Sequence, residues 1–226
     1  MTKRPGWPWA AWPTESYRTI CDVAGLMLGD GATPAPRTRE AWVLRAIVDR
    51  ARQGDEEAFG ALVRAVGDRS IFIAHRILRD ASLAEDAVQA ALVTVWRELP
   101  TLRDLDRFEA WHHRILVHAC YAEARRGRRF AANVVLLEKD GSAASDEYVG
   151  VHDRDQLDRG FKRLPPEQRA ILVFHHALGM TMPEVADHLG IPLGTAKSRL
   201  FYAIASIRAA LEADARTPTL DQENLA

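Results

Sequence analysis

Cysteine is nearly absent from this chain. Its two, Cys21 and Cys120, are far apart and lack the paired spacing of metal ligands, so the sequence offers neither a disulfide framework nor a zinc site. Cys120 reads as a small buried hydrophobe within a helix. Long apolar runs are missing too. None approaches the length that crosses a bilayer, which argues against membrane insertion. Lys3 and Arg4 stand near the start, but Pro5, Pro8 and Pro13 interrupt the residues after them, where a signal peptide needs a continuous apolar stretch. A cytoplasmic location is the expectation. Strand-like alternation and internal repeats are both lacking. So is an excess of charge: 30 basic against 31 acidic side chains leave a net −1, which excludes a protein that coats a polyanion with its whole surface.

Helical periodicity is what remains. Residues 1–44 form an N-terminal extension, punctuated by proline and glycine and carrying Trp7, Trp9 and Trp12; partial disorder is expected there. Ala41 to Arg52 then holds Trp42, Leu44, Ile47 and Val48 at helical spacing. After Gly54-Asp55 comes a second run, Ala58, Phe59, Leu62, Val63 and Val66, continued by Ser70 to Leu78. Asp80 and Ser82 supply capping oxygens for the clearest helix of the chain. There Leu83, Ala84, Ala87, Val88, Ala91, Leu92, Val95, Trp96 and Leu99 make one broad apolar stripe. Pro100 stops it. A short charged loop, Thr101 to Arg107, leads into a helix from Phe108 to Arg126, with Trp111, Ile115, Ala119 and Ala122 expected to face inward.

Residues 131–154 read as an acidic linker, apart from the apolar patch Val134 to Leu137. A second helical module spans 155–213 and a frayed tail 214–226. In this module Pro165-Pro166-Glu167 opens a helix that Gly179 ends. Met182 to Leu200 then reads as a short helix, a turn at Gly190, and a second helix offering Thr195, Lys197, Ser198 and Arg199. That is the pattern of a helix-turn-helix, whose second helix enters a DNA major groove. Leu200, Ile204, Ile207 and Leu211 carry its apolar stripe onward. The expected fold class is all-α, two small helical domains joined by a flexible linker. Charge is distributed to match. Arg125, Arg126, Arg128 and Arg129 form a basic run, and Glu138, Asp140, Asp146, Glu147, Asp153, Asp155 and Asp158 make the following segment acidic.

Four motifs occur in order. They are Gly54-Asp55-Glu56-Glu57-Ala58-Phe59; the stretch Ala84-Glu85-Asp86-Ala87-Val88-Gln89-Ala90-Ala91 through Arg97; Phe108-Glu109-Ala110-Trp111 leading into Glu123-Ala124-Arg125-Arg126; and Leu164-Pro165-Pro166-Glu167-Gln168-Arg169 followed by Gly194-Thr195-Ala196-Lys197-Ser198-Arg199-Leu200. With them the chain resembles an RNA polymerase sigma factor of the extracytoplasmic-function (ECF) group, which keeps two domains, region 2 and region 4. By this resemblance 45–130 is a region 2 helical bundle and 155–213 a region 4 helix-turn-helix. The sequence departs from the usual pattern at His112-His113, at His118 where asparagine is common, at Leu92 where phenylalanine is common, and in lacking a further arginine near Phe201-Tyr202.

The resemblance implies three surfaces. Glu85, Asp86, Gln89, Val93 and Arg97, on the polar side of the clearest helix, would grip the clamp helices of the polymerase β′ subunit, and region 4 would meet the β flap. The loop Leu102 to Arg107 and the helix behind it would receive a flipped-out base and the opened strand of the −10 element. The candidates are Arg103, Arg107, Phe108, His112, Arg114, His118, Arg125 and Arg126, since exposed strands are bound by charge and aromatic faces. Gly194, Thr195, Lys197, Ser198, Arg199 and Tyr202 would read the −35 duplex. An arginine paired with guanine there contributes about 1–3 kcal/mol of discrimination; the bland alternative for Arg199 is a surface salt bridge with Glu184. An anti-sigma factor is a further expected partner.

Enzymatic readings find little. Glu109-x-x-His112 has the spacing of a di-iron helix, but that chemistry needs a second such pair. His175-His176 lacks a partner pattern, and there is no Walker loop, nucleophile elbow or zinc-ligand cluster. The expectation is no catalysis, no metal and no cofactor. The main alternative is an ordinary helix-turn-helix transcription regulator with a helical sensor domain.

Overall fold

A computed structural model describes residues 38–137 and 160–216, with side-chain surroundings over 42–128 and 160–212. The expectations for the N-terminal extension, most of the linker and the tail fall outside the described residues.

Helix α1 (Thr38–Arg52) ends at a turn where Gly54 takes φ +93°. Asp55 follows in extended backbone. Its carboxylate accepts from Ala58 N–H at 2.9 Å and from Arg50 Nε at 2.9 Å, capping α2 (Glu56–Leu78). The two apolar runs expected here are one continuous helix. Arg79, left-handed at φ 61°, closes it by donating its N–H to the His75 carbonyl. Asp80 caps α3 (Ala81–Glu98) through Leu83 N–H at 2.9 Å. Ser82 lies inside the first turn. Pro100 sits in a 3-10 turn, Leu99–Thr101, and a second such turn, Leu105–Arg107, is capped by Asp104. Helix α4 (Phe108–Leu137) runs past the expected end at Arg126 and takes in the patch Val134 to Leu137.

The inward face of α4 is wider than periodicity selects: Trp111, Ile115 and Ala119 pack half-buried against the cores as expected, but they flank a more deeply buried row. Ala122 is exposed, while His112, His113, Leu116, Val117, Cys120 and Glu123 are buried. Two histidines and a glutamate occupy the stripe and disguise it. Cys120 is the buried free thiol expected of it, its pKa pushed by burial up to about 12.

In the second module a helical turn over 160–163 precedes α5 (Pro166–Leu172), whose first residue is a proline that needs no N–H there. It continues as a π-helical turn, Val173–Ala177, and Gly179 ends it at φ +67°. Helix α6 (Met182–Leu189) starts on Thr181. The Glu184 carboxylate accepts from both the backbone N–H and the hydroxyl of Thr181 at 2.7 Å, so Glu184 serves this cap rather than Arg199. Gly190, at φ 65°, makes the left-handed turn into α7 (Leu193–Arg216). The helix-turn-helix is therefore present as expected.

Two apolar cores hold this all-α fold among the described residues. The smaller joins Val48, Leu62, Val95, Leu99, Leu102 and Phe108. The larger crosses between the modules. It packs Ile73 and Ile77 of α2, Ala87 and Val88 of α3, and Leu116 and Val117 of α4 with Ile171, Phe174, Val185, Leu189, Leu200 and Ile204 of the second module.

Candidate nucleic-acid interface

On α3, Glu85, Asp86, Gln89, Val93 and Arg97 are all exposed. Four of them recur every fourth residue and line one stripe. Packing of α3 on its neighbours buries Ala84, Ala87, Val88, Ala91 and Val95 on the opposite side. Trp96, expected in the apolar stripe, is 40 % exposed beside Val93 at 50 %. Its ring meets Phe59 edge-on at 4.6 Å. A nine-residue stripe is wider than these contacts cover, so Trp96 spills onto the surface.

The loop after α3 is tied down at both ends. Arg45 on α1 forms an ion pair with Asp106, and Arg52 donates to the Leu102 carbonyl at 3.2 Å. Between them opens a groove of about 590 Å³, lined by Trp42, Arg45, Asp49, Arg52, Arg103 and Leu105. Trp42 is 68 % exposed at this groove. The loop motif pointed to Arg103 but not to the α1 side of the groove. The available signal was the spacing of Trp42, Arg45, Asp49 and Arg52, which puts an aromatic and three charges on one helical face.

The expected strand-capture residues divide. Arg103, Arg107, His118, Arg125 and Arg126 are exposed, and Arg126 pairs with the buried Glu123 at 3.2 Å. Phe108 and His112 are corrected: each is only 3 % exposed and belongs to the interior. Phe108 fills the smaller core. His112 stacks on it at 5.8 Å, and its Nε2 lies 3.4 Å from Ser70 Oγ. Burial lowers the His112 pKa to about 4, so the ring is neutral near pH 7. Trp111 is half-buried and packs on the same core, as expected. Glu109 pairs with Arg69 at 3.6 Å. Among the described residues no three His, Cys, Asp or Glu side chains converge as a metal site.

On α7, Gly194, Lys197 and Tyr202 are exposed and Thr195, Ser198 and Arg199 half-buried. Thr195, Ser198, Arg199 and Tyr202 fall at i, i+3, i+4 and i+7, a single face. Ala196, Leu200, Ala203 and Ile204 are buried on the other. The Ser198 hydroxyl donates to the Thr195 carbonyl at 3.0 Å.

Two of the expected strand-capture residues contact the second module at α6. Arg107 forms an ion pair with Asp187 of α6. Arg114 donates to the Asp187 carbonyl at 3.0 Å. A Cβ on Gly190 would come within 2.6 Å of Arg114 Nε, so only glycine fits that turn without displacing the arginine. Beneath them His113 Nδ1 lies 2.8 Å from His188 Nδ1.

Comparison with known proteins agrees with both modules. Residues 62–130 match the family described as Sigma-70 region 2, and residues 154–207 the one described as Sigma-70, region 4. The ECF RNA polymerase sigma factor SigL of Mycobacterium tuberculosis is 31% identical over 167 residues, covering 70% of this chain and 94% of that protein. The RNA polymerase sigma-H factor of Pseudomonas aeruginosa is 27% identical over 178 residues, 74% of this chain and 92% of its own. In three dimensions the chain is similar to CnrH solved with the cytosolic domain of CnrY, at TM-score 0.52 and 26% identity, over 75% of this chain and 97% of that one. The fold is shared with the sigma factor RpoE in complex with the anti-sigma factor NepR from Bartonella quintana, at TM-score 0.52 and 22% identity, over 69% of this chain and 98% of that one. No helix among the described residues is long and apolar enough to cross a membrane.

Proposed function

The chain belongs to the ECF RNA polymerase sigma factors, and from that premise we propose which of its surfaces carry each step of promoter-specific initiation. Such a factor binds core RNA polymerase and promoter DNA and directs where transcription begins. The family comprises initiation factors rather than enzymes, and we assign this chain no catalytic activity. Its place of action is the cytoplasm.

The exposed stripe of α3 is the observation that carries the reading. Glu85, Gln89, Val93 and Arg97, with Asp86 beside them, form a mixed polar and apolar ridge, and half-exposed Trp96 extends it. Exposed aromatics beside charge suit a protein partner. This ridge takes the β′ clamp helices, while region 4 takes the β flap. The groove at Trp42 and Arg103 takes a base extruded from the −10 element: the exposed Trp42 ring offers stacking and Arg103 offers phosphate contact, while Arg45 and Arg52, paired with Asp106 and Asp49, hold the loop that forms it. Arg107, Arg114, His118, Arg125 and Arg126 continue the path of the strand. The face of α7 with Thr195, Ser198, Arg199 and Tyr202, flanked by Gly194 and Lys197, reads the −35 duplex, its N-terminal N–H groups meeting a phosphate. An anti-sigma factor is the regulatory partner. The relatives solved as complexes with CnrY and with the anti-sigma factor NepR support that assignment. A regulator with an unrelated sensor domain would leave the region 2 match and the α3 ridge without a role.

Gel filtration with bacterial core RNA polymerase tests the reading. The intact chain is expected to co-elute, and Asp86→Arg with Gln89→Ala to abolish co-elution while the protein keeps its melting temperature. An intact chain that ignores polymerase yet binds duplex DNA tightly alone would sink it in favour of the regulator.

A further inference from the structure

We propose that the groove between α1 and the loop Leu102 to Arg107 binds this chain's own tryptophan-rich segment, Trp7 to Trp12, and that the segment holds the groove until a base displaces it. The segment lies outside the described residues. The docking stands on the groove and the sequence; its effect on strand capture rests on the assignment of that groove to a −10 base.

Helix α1 carries more apolar surface outward than its own module uses. Leu44, Ile47 and Val48 serve the smaller core. Trp42 is nevertheless 68 % exposed and Val43 55 %, and Ala46, one turn on, is exposed as well. Trp42 and Ala46 line the groove of about 590 Å³. An exposed apolar patch rimmed by charge marks an interaction site.

The lining specifies the occupant. Trp42 presents an indole face, which takes a second aromatic ring offset or edge-on. On the loop side Arg103 is an exposed cation, and a guanidinium binds best over the face of a tryptophan. Asp49 and Asp104 bring carboxylates, and an indole has an N–H to donate. Tryptophan answers all three. Of the six in this chain, Trp42, Trp96 and Trp111 belong to the helices, and the other three crowd into Trp7-Pro8-Trp9-Ala10-Ala11-Trp12. Lys3 and Arg4 precede them and suit Asp104, exposed on the rim.

The chain also delivers the segment to the right place. Helix α1 begins at Thr38, about one turn before Trp42, so residues 13–37 lead from the tryptophans to the end of the groove. Fully extended they would span ~80 Å, so reach sets no limit. Tethering gives an effective concentration on the order of mM. Pro8 and Pro13 lower the entropy that such a segment loses on docking. A base needs the same Trp42 face and the same Arg103 charge, so docked tryptophans compete with it directly.

A fluorescein-labelled peptide of residues 1–16 tests the docking, and a fluorescent single-stranded random-sequence 20-mer tests its effect. Trp7→Ala, Trp9→Ala and Trp12→Ala combined in the full chain leave the groove open. The peptide is expected to bind this triple variant about tenfold more tightly than the intact chain, whose own segment competes. Adding Trp42→Ala should weaken the peptide about tenfold, and adding Arg103→Ala about threefold. Both side chains are exposed, so the fold survives, which circular dichroism verifies. The 20-mer should bind the triple variant about fivefold more tightly than the intact chain, and Trp42→Ala should erase that difference. A peptide that does not bind, or that is indifferent to Trp42→Ala and Arg103→Ala, would overturn the docking. Competition that grows with protein concentration would assign the groove to a second copy and overturn it too. A peptide that docks while the 20-mer is unaffected refutes the assignment of the groove to a base and leaves the docking in place.

Discussion

His113 and His188 join α4 to α6 through their Nδ1 atoms, 2.8 Å apart. A neutral imidazole has one N–H, so one ring donates from Nδ1 while the other accepts there and carries its proton on Nε2. The pair works only while at least one ring is neutral. Burial lowers the pKa of His113 well below its ordinary value, with His112, His188 and Arg69 adding to the shift. His188 is lowered by burial too, opposed by Glu109, Asp187 and Glu184.

Stability is expected to fall as pH drops from 6.5 toward 4. The folded-state pKa values of His112, His113 and His188 all lie below the ordinary 6.5. In that window the unfolded chain binds protons that the folded chain refuses, so acid favours unfolding. Each fully buried histidine contributes about 1.4 kcal/mol per pH unit. The depressed carboxylates Asp55 and Glu184 act lower, below their ordinary values of 3.8 and 4.5. Urea titrations at pH 7.5, 6 and 5 check this, and His112→Phe should flatten the slope. A slope indifferent to pH across that range would contradict the buried neutral histidines.

Phe174→Ala should cost ~3–5 kcal/mol, because a fully buried aromatic leaves a cavity behind it. Leu62→Ala, in the smaller core, should cost ~2–5 kcal/mol. Helices α2, α3 and α4 line both cores, so each substitution should lower a single shared melting transition. An early, separate transition in Phe174→Ala would show that the modules fold independently.

Asp80→Ala should cost ~1 kcal/mol by leaving the Leu83 N–H without its partner. Ser82→Ala should stay within ~0.5 kcal/mol, since Ser82 is exposed inside the first turn. Thermal denaturation of the two variants distinguishes the cap from its neighbour. Equal losses would mean that Ser82 carries the cap instead.

In holoenzyme bound to duplex DNA, Lys197→Ala should weaken binding uniformly across sequences and reduce the salt slope by about one. Arg199→Ala should cost ~1–3 kcal/mol and relax preference at one base position. Binding isotherms at several salt concentrations read both. A uniform loss for Arg199→Ala would reassign it to phosphate.

Much of the fold is legible in the chain because backbone caps and apolar spacing are local. Asp55 and Asp80 announce α2 and α3, Pro166 opens α5, and Gly190 marks the turn of the helix-turn-helix; each acts within a few residues of itself. The α3 ridge is legible for the same reason, since burying one stripe leaves its opposite exposed. Trp96 and Trp42 escaped because exposure depends on how much area the neighbours cover, which periodicity does not report.

By its sequence alone, then, the chain determined an all-α fold with a helix-turn-helix, an exposed charged ridge on α3, and the arginines of its loop. These come from turn chemistry and helical period. Only tertiary structure decided that α4 buries His112 and His113, that Phe108 is core, and that Asp187 meets Arg107 across 80 residues of chain. Polar residues read as surface until a neighbouring helix packs over them. Only the assembled core shows that the burial of His112 is offset by Phe108 and Ser70 of its own module, and that of His113 by Phe174 and His188 of the other.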